Sequence, residues 1–406
     1  MKILVSCYAC SPYKGSEPGM GWNFVKCLSR LHNLYIITES KFKSDLEKYF
    51  KDFPEEEKYY HFFFIERERH KRLRKIWPPS YYWFYKLWQK KAFNLALELD
   101  QKENFDIIHQ LNMVGFREPG YLWKINKPFV WGPIGGFNIT PWNMLYSMGG
   151  YGLLFYGGRN LLNLWQMHTM SRVRKAMSKA DAIISATQDC ADAIYKLYSK
   201  TSTIIPEVGL VGGCNTFNPS IKTNNEPFKI CWSGQHTPGK SLNLLLESLA
   251  QVREKNVELH VIGKGSQTKK WKKLALSLKL NNVIWHDWVP RSEAIDIMKS
   301  AHCFVITSMC DLTSTVILEA LSLGLPVIAM DHCGFSNVLT DHCGIKIAVS
   351  NHHDVVHDLS LAIEKLANDE NFRFILSKGA FQRANDFSWE NKAKVIDGIY
   401  KKIISR

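Results

Sequence analysis

The chain has 406 residues, 46% hydrophobic and 22% charged, which suits two globular domains that each bury a core and excludes a disordered or fibrous chain. Its 52 Lys and Arg against 38 Asp and Glu leave a formal charge of +14, which points to an anionic partner: nucleic acid, a membrane face or a phosphorylated substrate. Ten cysteines without framework spacing read as reduced thiols, no apolar run reaches the length of a membrane span, and residues 1–6 are too short for a signal peptide, so a cytoplasmic chain is expected.

Residues 2–6 read as a buried strand, and the stretch from Ser11 to Gly21 follows it with Gly15, Gly19 and Gly21. A helix opening at Gly21 would bury Trp22, Val25 and Leu28. A strand, glycine loop and helix can cradle an anionic or sugar ligand, or simply turn the chain; both readings stand. Residues 34–38 and 62–65 are further strands. The repeated alternation of strand and helix predicts a Rossmann-like half. Residues 66–91 break the pattern with a basic run from Glu66 to Lys75, followed by Trp77, Tyr81, Tyr82, Trp83, Phe84, Tyr85 and Trp88. Cations beside aromatics fit a segment lying on an anionic membrane, while helix-spaced aromatics equally fit a core. No nucleic-acid-binding module accompanies the basic run, so no nucleic-acid partner is expected. Residues 105–109 form a strand ending at His109, a position open to a base or to a hydrogen-bonded structural histidine. A strand at 129–131 enters a second glycine-rich loop at Gly132 to Gly136, and residues 141–158 are apolar, aromatic and broken by glycine. They read as a cover over an acceptor, an interface segment or a packed loop. Strands at 182–185 and 203–205 close this half.

Periodicity is lost between Glu207 and Pro227, which marks a linker. Strands at 229–233, 257–262 and 283–285 then alternate with helices, and three helices fill the tail from His352 onward. The most informative stretch follows the apolar run 303–308. Asp311, Leu312, Thr313, Ser314 and Thr315 precede a helix that carries Glu319 one turn in, and Gly324 and Pro326 stop it before a strand at 327–330. Ligands of parallel sheets sit beyond the carboxyl ends of strands, where helix N-termini offer free N–H groups. Two carboxylates flanking such amides suit a ligand that carries both hydroxyls and phosphate.

Taken together, Gly15 to Gly21, Trp131 to Gly136, Ser233 to Lys240, Asp311 to Ala329, and Phe387 with Trp389 resemble the retaining glycosyltransferases of the GT-B group called family 4. The resemblance implies an α/β GT-B fold with two Rossmann-like domains facing a cleft. It divides the chain into an acceptor-binding domain at 1–206, a linker at 207–227, a nucleotide-sugar-binding domain at 228–386, and a helix at 387–406 returning to the first domain. It further implies that Glu319 accepts the ribose hydroxyls, that Lys240 neutralises the donor diphosphate, and that Asp311 touches the transferred sugar with a side chain one methylene shorter than the usual glutamate. Gln235 stands where an arginine usually joins Lys240. Leu312, Thr313, Ser314 and Thr315 would meet the pyrophosphate or sugar, Gly263 and Val289 the base, and Gly15, Gly19, Gly21 and Gly234 the donor. His109 takes the place of a catalytic histidine.

The implied partners are a nucleotide-sugar donor and a glycan or lipid-linked acceptor in cell-surface polysaccharide assembly, with residues 66–91 on an anionic membrane at its inner face. No cofactor and no metal is expected, since no Asp-x-Asp occurs; the metal-like patterns are Cys7-x-x-Cys10, which has no second pair and fits core thiols, and the triplets Asp331-His332-Cys333 and Asp341-His342-Cys343. A sugar-nucleotide-binding protein without activity, suggested by Gln235 and Asp311, and a GT-B nucleotide-sugar epimerase are the alternatives.

Overall fold

In the computed structural model the described residues are 1–406 without 69–71, 73–75, 78–79, 213–215, 218, 220–221, 223–225, 255 and 406. Two units emerge: Met1–Phe137 with Gln166–Val211 and Trp389–Arg406, and Asn138–Trp165 with Gly212–Ser388.

The first unit is built on strands β1 (Lys2–Cys7), β2 (Asn33–Glu39), β3 (Tyr60–Ile65), β4 (Ile107–Asn112), β5 (Phe129–Ile134), β6 (Ala182–Ser185) and β7 (Thr203–Ile204). They pair in parallel in the order β3-β2-β1-β4-β5-β6-β7. Strands β4 and β5 are buried along their whole length and β1, β2 and β6 at all but their first residue, as expected of strands covered on both faces. The order reverses between β1 and β4, so the ligand-prone crevice of this sheet lies at the ends of those two strands. Helix Ser16–Ser29 starts five residues before the expected Gly21 and takes Gly19 and Gly21 into its first turns. A Cβ on Gly21 would lie 2.1 Å from the Ala9 carbonyl oxygen, and one on Gly19 2.4 Å from that of Lys14. These glycines therefore let the helix lie directly on the chain leaving β1, and the loop shrinks to the residues around Gly15, where a Cβ would meet open space.

Helix Trp389–Ile404 belongs to this unit and packs on helix Ser16–Ser29, as the returning C-terminal helix requires. Its Trp389 N–H donates to the Leu210 carbonyl at 3.1 Å, and the buried Lys392 ammonium donates to the carbonyls of Pro206 and Val208. Tyr400, fully buried, meets His109. Helix Ser80–Glu103 buries Tyr85, Trp88 and Gln89, with the Trp88 indole donating to the Ile65 carbonyl at 3.0 Å, while Trp77, Tyr82 and Trp83 stay exposed. The aromatic stretch is thus part core and part surface. Most of the basic run that precedes it, including 69–71 and 73–75, lies outside the described residues.

The second unit holds β8 (Phe228–Ser233), β9 (Val257–Ile262), β10 (Val283–Asp287), β11 (Cys303–Ile306), β12 (Val327–Met330) and β13 (Gly344–Ile347), parallel in the order β10-β9-β8-β11-β12-β13. Its switch point falls between β8 and β11. Residues 138–165, inside the sequence span of the first domain, pack with this unit: Met144, Leu145, Met148 and Tyr156 join Trp232, Leu242 and Val305 in one core. Glycine-broken sequence there hides a regular element, helix Gly149–Thr169. Among the described residues no helix is long and apolar enough to cross a membrane.

Three buried histidines give the fold a pH signature. Burial pushes the imidazoles of His109, His236 and His302 down to about 4. The unfolded chain binds these protons near pH 6.5, so folding is opposed as pH falls below 6.5 and the loss is complete near pH 4. For the fully enclosed His109 this amounts to on the order of 3 kcal/mol. Thermal melts should therefore show a midpoint falling steeply between pH 6 and about 4. A midpoint flat across that window would mean the histidines carry their protons in the folded chain.

Candidate active site

At the switch point of the second sheet, the chain leaving β8 runs Gly234, Gln235, His236, Thr237 and enters the short turn Pro238–Lys240. The chain leaving β9 meets it backbone to backbone. The Gly234 N–H donates to the Ile262 carbonyl at 3.0 Å, and the His236 N–H to the Lys264 carbonyl at 3.2 Å. A Cβ on Gly263 would lie 2.0 Å from the Gly234 carbonyl oxygen, and its φ of +124° is in the region open to glycine. Gly263→Ala should add strain on the order of 1–3 kcal/mol and push the two loops apart, lowering the melting temperature together with ligand affinity at this site. A variant that melts and binds as the parent does would separate the loop contact from the site.

Lys240 is fixed from below. Its carbonyl accepts the Thr307 hydroxyl at 2.8 Å, and Thr307 in turn accepts the Trp232 indole N–H at 3.1 Å, both deep in the core at the ends of β8 and β11. Its half-buried ammonium forms an ion pair with Asp311. The second Asp311 carboxylate oxygen accepts the Leu312 N–H at 3.1 Å, and the Asp311 N–H points to the Cys333 thiol at 3.4 Å. The two site residues expected to serve different parts of a ligand therefore hold each other in this state. Cys333 backs Asp311 and the Cys343 thiol lies against Thr340, so the Asp-His-Cys triplets serve the loops that carry them. Among the described residues no three His, Cys, Asp or Glu side chains converge on a point where a metal ion would sit.

Helix Thr315–Ser322 begins just past this ion pair, and Ser314 at its N-cap position gives it no side-chain hydrogen bond. The first N–H groups of a helix have no partner inside it, and its positive end favours an anion. Thr313 is buried against Gly334, Leu312 and Ser314 are half-buried, and Thr315 is exposed. Glu319 points from the same helix to the guanidinium of Arg291, whose Nε donates at 2.8 Å. The carboxylate is mostly shielded whereas Arg291 is 78% exposed. Val289 is half-buried two residues before it, beside the exposed Trp288. Gln235 is exposed and adds no charge.

Two cations here escaped the sequence reading. Arg291 follows Trp288-Val289-Pro290 directly, and nothing in its local pattern separates it from an ordinary surface arginine. Arg159, on helix Gly149–Thr169, donates to the Cys310 thiol at 2.8 Å, one residue from Asp311. The same segment places the Tyr156 hydroxyl 3.2 Å from the Gly239 N–H and the Asn138 amide 3.0 Å from the Asp311 carbonyl. Tyr156 thus lines the turn that carries Lys240, and Asn138 and Arg159 line the loop that carries Asp311.

His109, expected as a catalytic group, has another place. It is completely buried at the end of β4 in the first unit, with Nε2 2.7 Å from the Gly132 carbonyl and Nδ1 2.5 Å from the Tyr400 hydroxyl. A carbonyl can only accept, so Nε2 carries the proton and Nδ1 accepts from Tyr400. Both nitrogens are committed and neither is left for a substrate. At the same switch point the Glu17 carboxylate accepts the Val114 N–H at 2.9 Å, and burial raises its pKa. Gly15 lies two residues from it.

Residues 215–383 match the family model described as glycosyl transferases group 1. Along its full length the chain superposes on the lipopolysaccharide outer core galactosyltransferase WaaB, with a TM-score of 0.69, 14% identity and 99% of each chain covered. The fold is GT-B. Anabaena HepE in complex with UDP and glucose has the same GT-B architecture, with a TM-score of 0.62 at 15% identity over 99% of this chain and 100% of that one. Two uncharacterized glycosyltransferases of Methanocaldococcus jannaschii are similar in sequence, one 24% identical over 46% of this chain and 47% of its own length, the other 29% identical over 37% and 40%. The matches thus span less than half the length of these curated relatives.

Proposed function

We propose that the protein is a retaining glycosyltransferase that moves a hexose from a nucleoside diphosphate donor to a glycan or lipid-linked acceptor in cell-surface polysaccharide assembly. The observation that carries this is the convergence, at one switch point, of Lys240, the N-terminus of helix Thr315–Ser322 and the shielded Glu319 carboxylate. A cation and free amides suit a diphosphate, and a carboxylate one turn further on suits a pair of ribose hydroxyls. The group 1 match covers this half of the chain, and the UDP and glucose held by the GT-B protein HepE make UDP-glucose the first donor to test.

In this reading the base lies against Gly263 and Val289, and the diphosphate displaces Asp311 from Lys240. Asp311, released, turns to the sugar hydroxyls. Arg159 supplies the second positive charge that Gln235 lacks. As the bond between the anomeric carbon and the phosphate oxygen breaks, its electron pair goes to the diphosphate, where Lys240 and the helix-end amides stabilise it. The acceptor oxygen attacks from the same face and its proton passes to the departing phosphate oxygen, which retains the anomeric configuration without a protein nucleophile. Charge is balanced by protein groups alone, so turnover is expected in the presence of a chelator.

The test is incubation with a panel of nucleotide sugars, with and without a membrane extract as acceptor. Slow release of nucleoside diphosphate from one donor, accelerated by the extract and insensitive to EDTA, is the expected result. Tight donor binding with no release under either condition would instead make the protein a sugar-nucleotide-binding protein.

A further inference from the structure

Arg67 is a buried cation without a counter-ion. It follows β3 by two residues and is 8% exposed, and its Nε and Nη1 have no hydrogen-bond partner among the described residues. A guanidinium keeps its proton at any working pH, so burial cannot neutralise it. Buried charges are as a rule paired and hydrogen-bonded. Two aromatic rings flank this one instead: its Cζ lies 4.6 Å from the centre of the Tyr81 ring and 5.6 Å from that of Tyr8. The carboxylates around it are committed elsewhere. Glu39 pairs with Lys41 at 3.1 Å, Glu68 with Lys91 at 3.1 Å, and Glu17 accepts the Val114 N–H at 2.9 Å.

The place is one where ligands sit. Tyr8 follows β1 directly, Glu39 ends β2, Arg67 follows β3 and Met113 follows β4, so all four share the carboxyl edge of the first sheet at its switch point. We propose that Arg67 binds one singly charged oxyanion of the acceptor, a sugar carboxylate or a phosphodiester. The planar guanidinium offers a fork of parallel N–H groups to either oxyanion. One uncompensated positive charge matches one negative charge, since the charge of Lys41 is already met by Glu39. Tyr81 is half-buried in the first turn of helix Ser80–Glu103, and its hydroxyl donates to the Met113 thioether, a weak acceptor, at 3.2 Å. Turning this ring aside bares the guanidinium to the crevice. Arg67 then anchors the acceptor by its charge and takes no part in the transfer itself. The inference rests on the reading of the first unit as the acceptor half of a transferase, and adds an acidic group to that acceptor.

The experiment is a ligand-observed NMR titration of the full chain with three sugars: methyl glucuronide, glucose joined to glycerol through a phosphodiester, and neutral methyl glucoside. Wild type should bind one of the charged sugars about tenfold or more tightly than the neutral one. Arg67→Gln should lose that preference, and Arg67→Lys, which keeps the charge without the fork, should keep only part of it. Circular dichroism checks that each variant folds, and Arg67→Lys decides the matter where Arg67→Gln does not. UDP should bind wild type and variants equally, because its proposed site is built from the second unit. Preference for the glucuronide makes the acceptor's group a carboxylate, and preference for the diester makes it a phosphate. Equal binding of charged and neutral sugars by wild type, or an unchanged preference in the variants, would overturn the proposal. None of these readouts needs donor cleavage. A protein that releases no nucleoside diphosphate would defeat the transferase reading and leave the charge preference at Arg67 to be judged by itself.

Discussion

Lys240→Ala should lower the rate of donor cleavage about 100- to 1000-fold, the usual loss when one preorganised group facing developing charge is removed. Two effects combine. The departing diphosphate loses its cation, and the Asp311 carboxylate, paired with Lys240 in the free protein, is left facing the incoming phosphates. The second effect predicts a contrast. Asp311→Asn removes the competitor for Lys240, so nucleoside diphosphate should bind at least as tightly as to the parent, while sugar transfer falls. In the double variant, part of the nucleotide affinity lost with Lys240 should return. Calorimetric titration with the diphosphate and steady-state kcat/KM on the same samples separate the two. Parent-like turnover in Lys240→Ala would remove this lysine from the phosphate site. Arg159→Gln, at a residue that reaches Cys310 beside Asp311 from helix Gly149–Thr169, should give a smaller loss in kcat/KM that the chemistry of Gln235 cannot mask.

Much of the fold was legible because parallel strands buried on both faces are written as unbroken apolar runs; residues 303–306 and 327–330 need little more than their composition. Strand order was not legible, because pairing is set by where helices cross the sheet and not by the strands themselves. Helix Gly149–Thr169 was hidden by five glycines in its span and the flanking aromatics, which read as a broken loop; burial of Met144, Met148 and Tyr156 in the second core overrides that propensity. His109 shows a different limit. Its two partners stand at positions 132 and 400, and only folding brings them to its ring. The residues gathered at the second sheet's switch point were legible for the opposite reason. Asp311 through Glu319 are local, and the distance from strand end to helix first turn is fixed by backbone geometry. Lys240 joins them from across the switch point, where strands remote in sequence must become neighbours in any doubly wound sheet.

Glu319→Ala should weaken nucleoside diphosphate binding by about 1.5–3 kcal/mol, roughly 10- to 100-fold, the scale of hydrogen bonds made to a charged group. The fold itself should lose little, because the ion-pair partner Arg291 is 78% exposed and such surface pairs contribute weakly. Arg291→Ala should accordingly leave the melting temperature within a degree or two of the parent. The ligand's own chemistry provides the control. If Glu319 holds the ribose hydroxyls, its removal weakens a ribonucleoside diphosphate but not inorganic pyrophosphate, whereas Lys240→Ala weakens both. A donor lacking the 2′ and 3′ hydroxyls should bind the parent and Glu319→Ala equally, closing a cycle in which protein and ligand each lose one side of the same contact. Equal loss of affinity for pyrophosphate and nucleotide in Glu319→Ala would place the carboxylate's influence on the helix terminus and its amides, four residues away, and not on the sugar of the nucleotide.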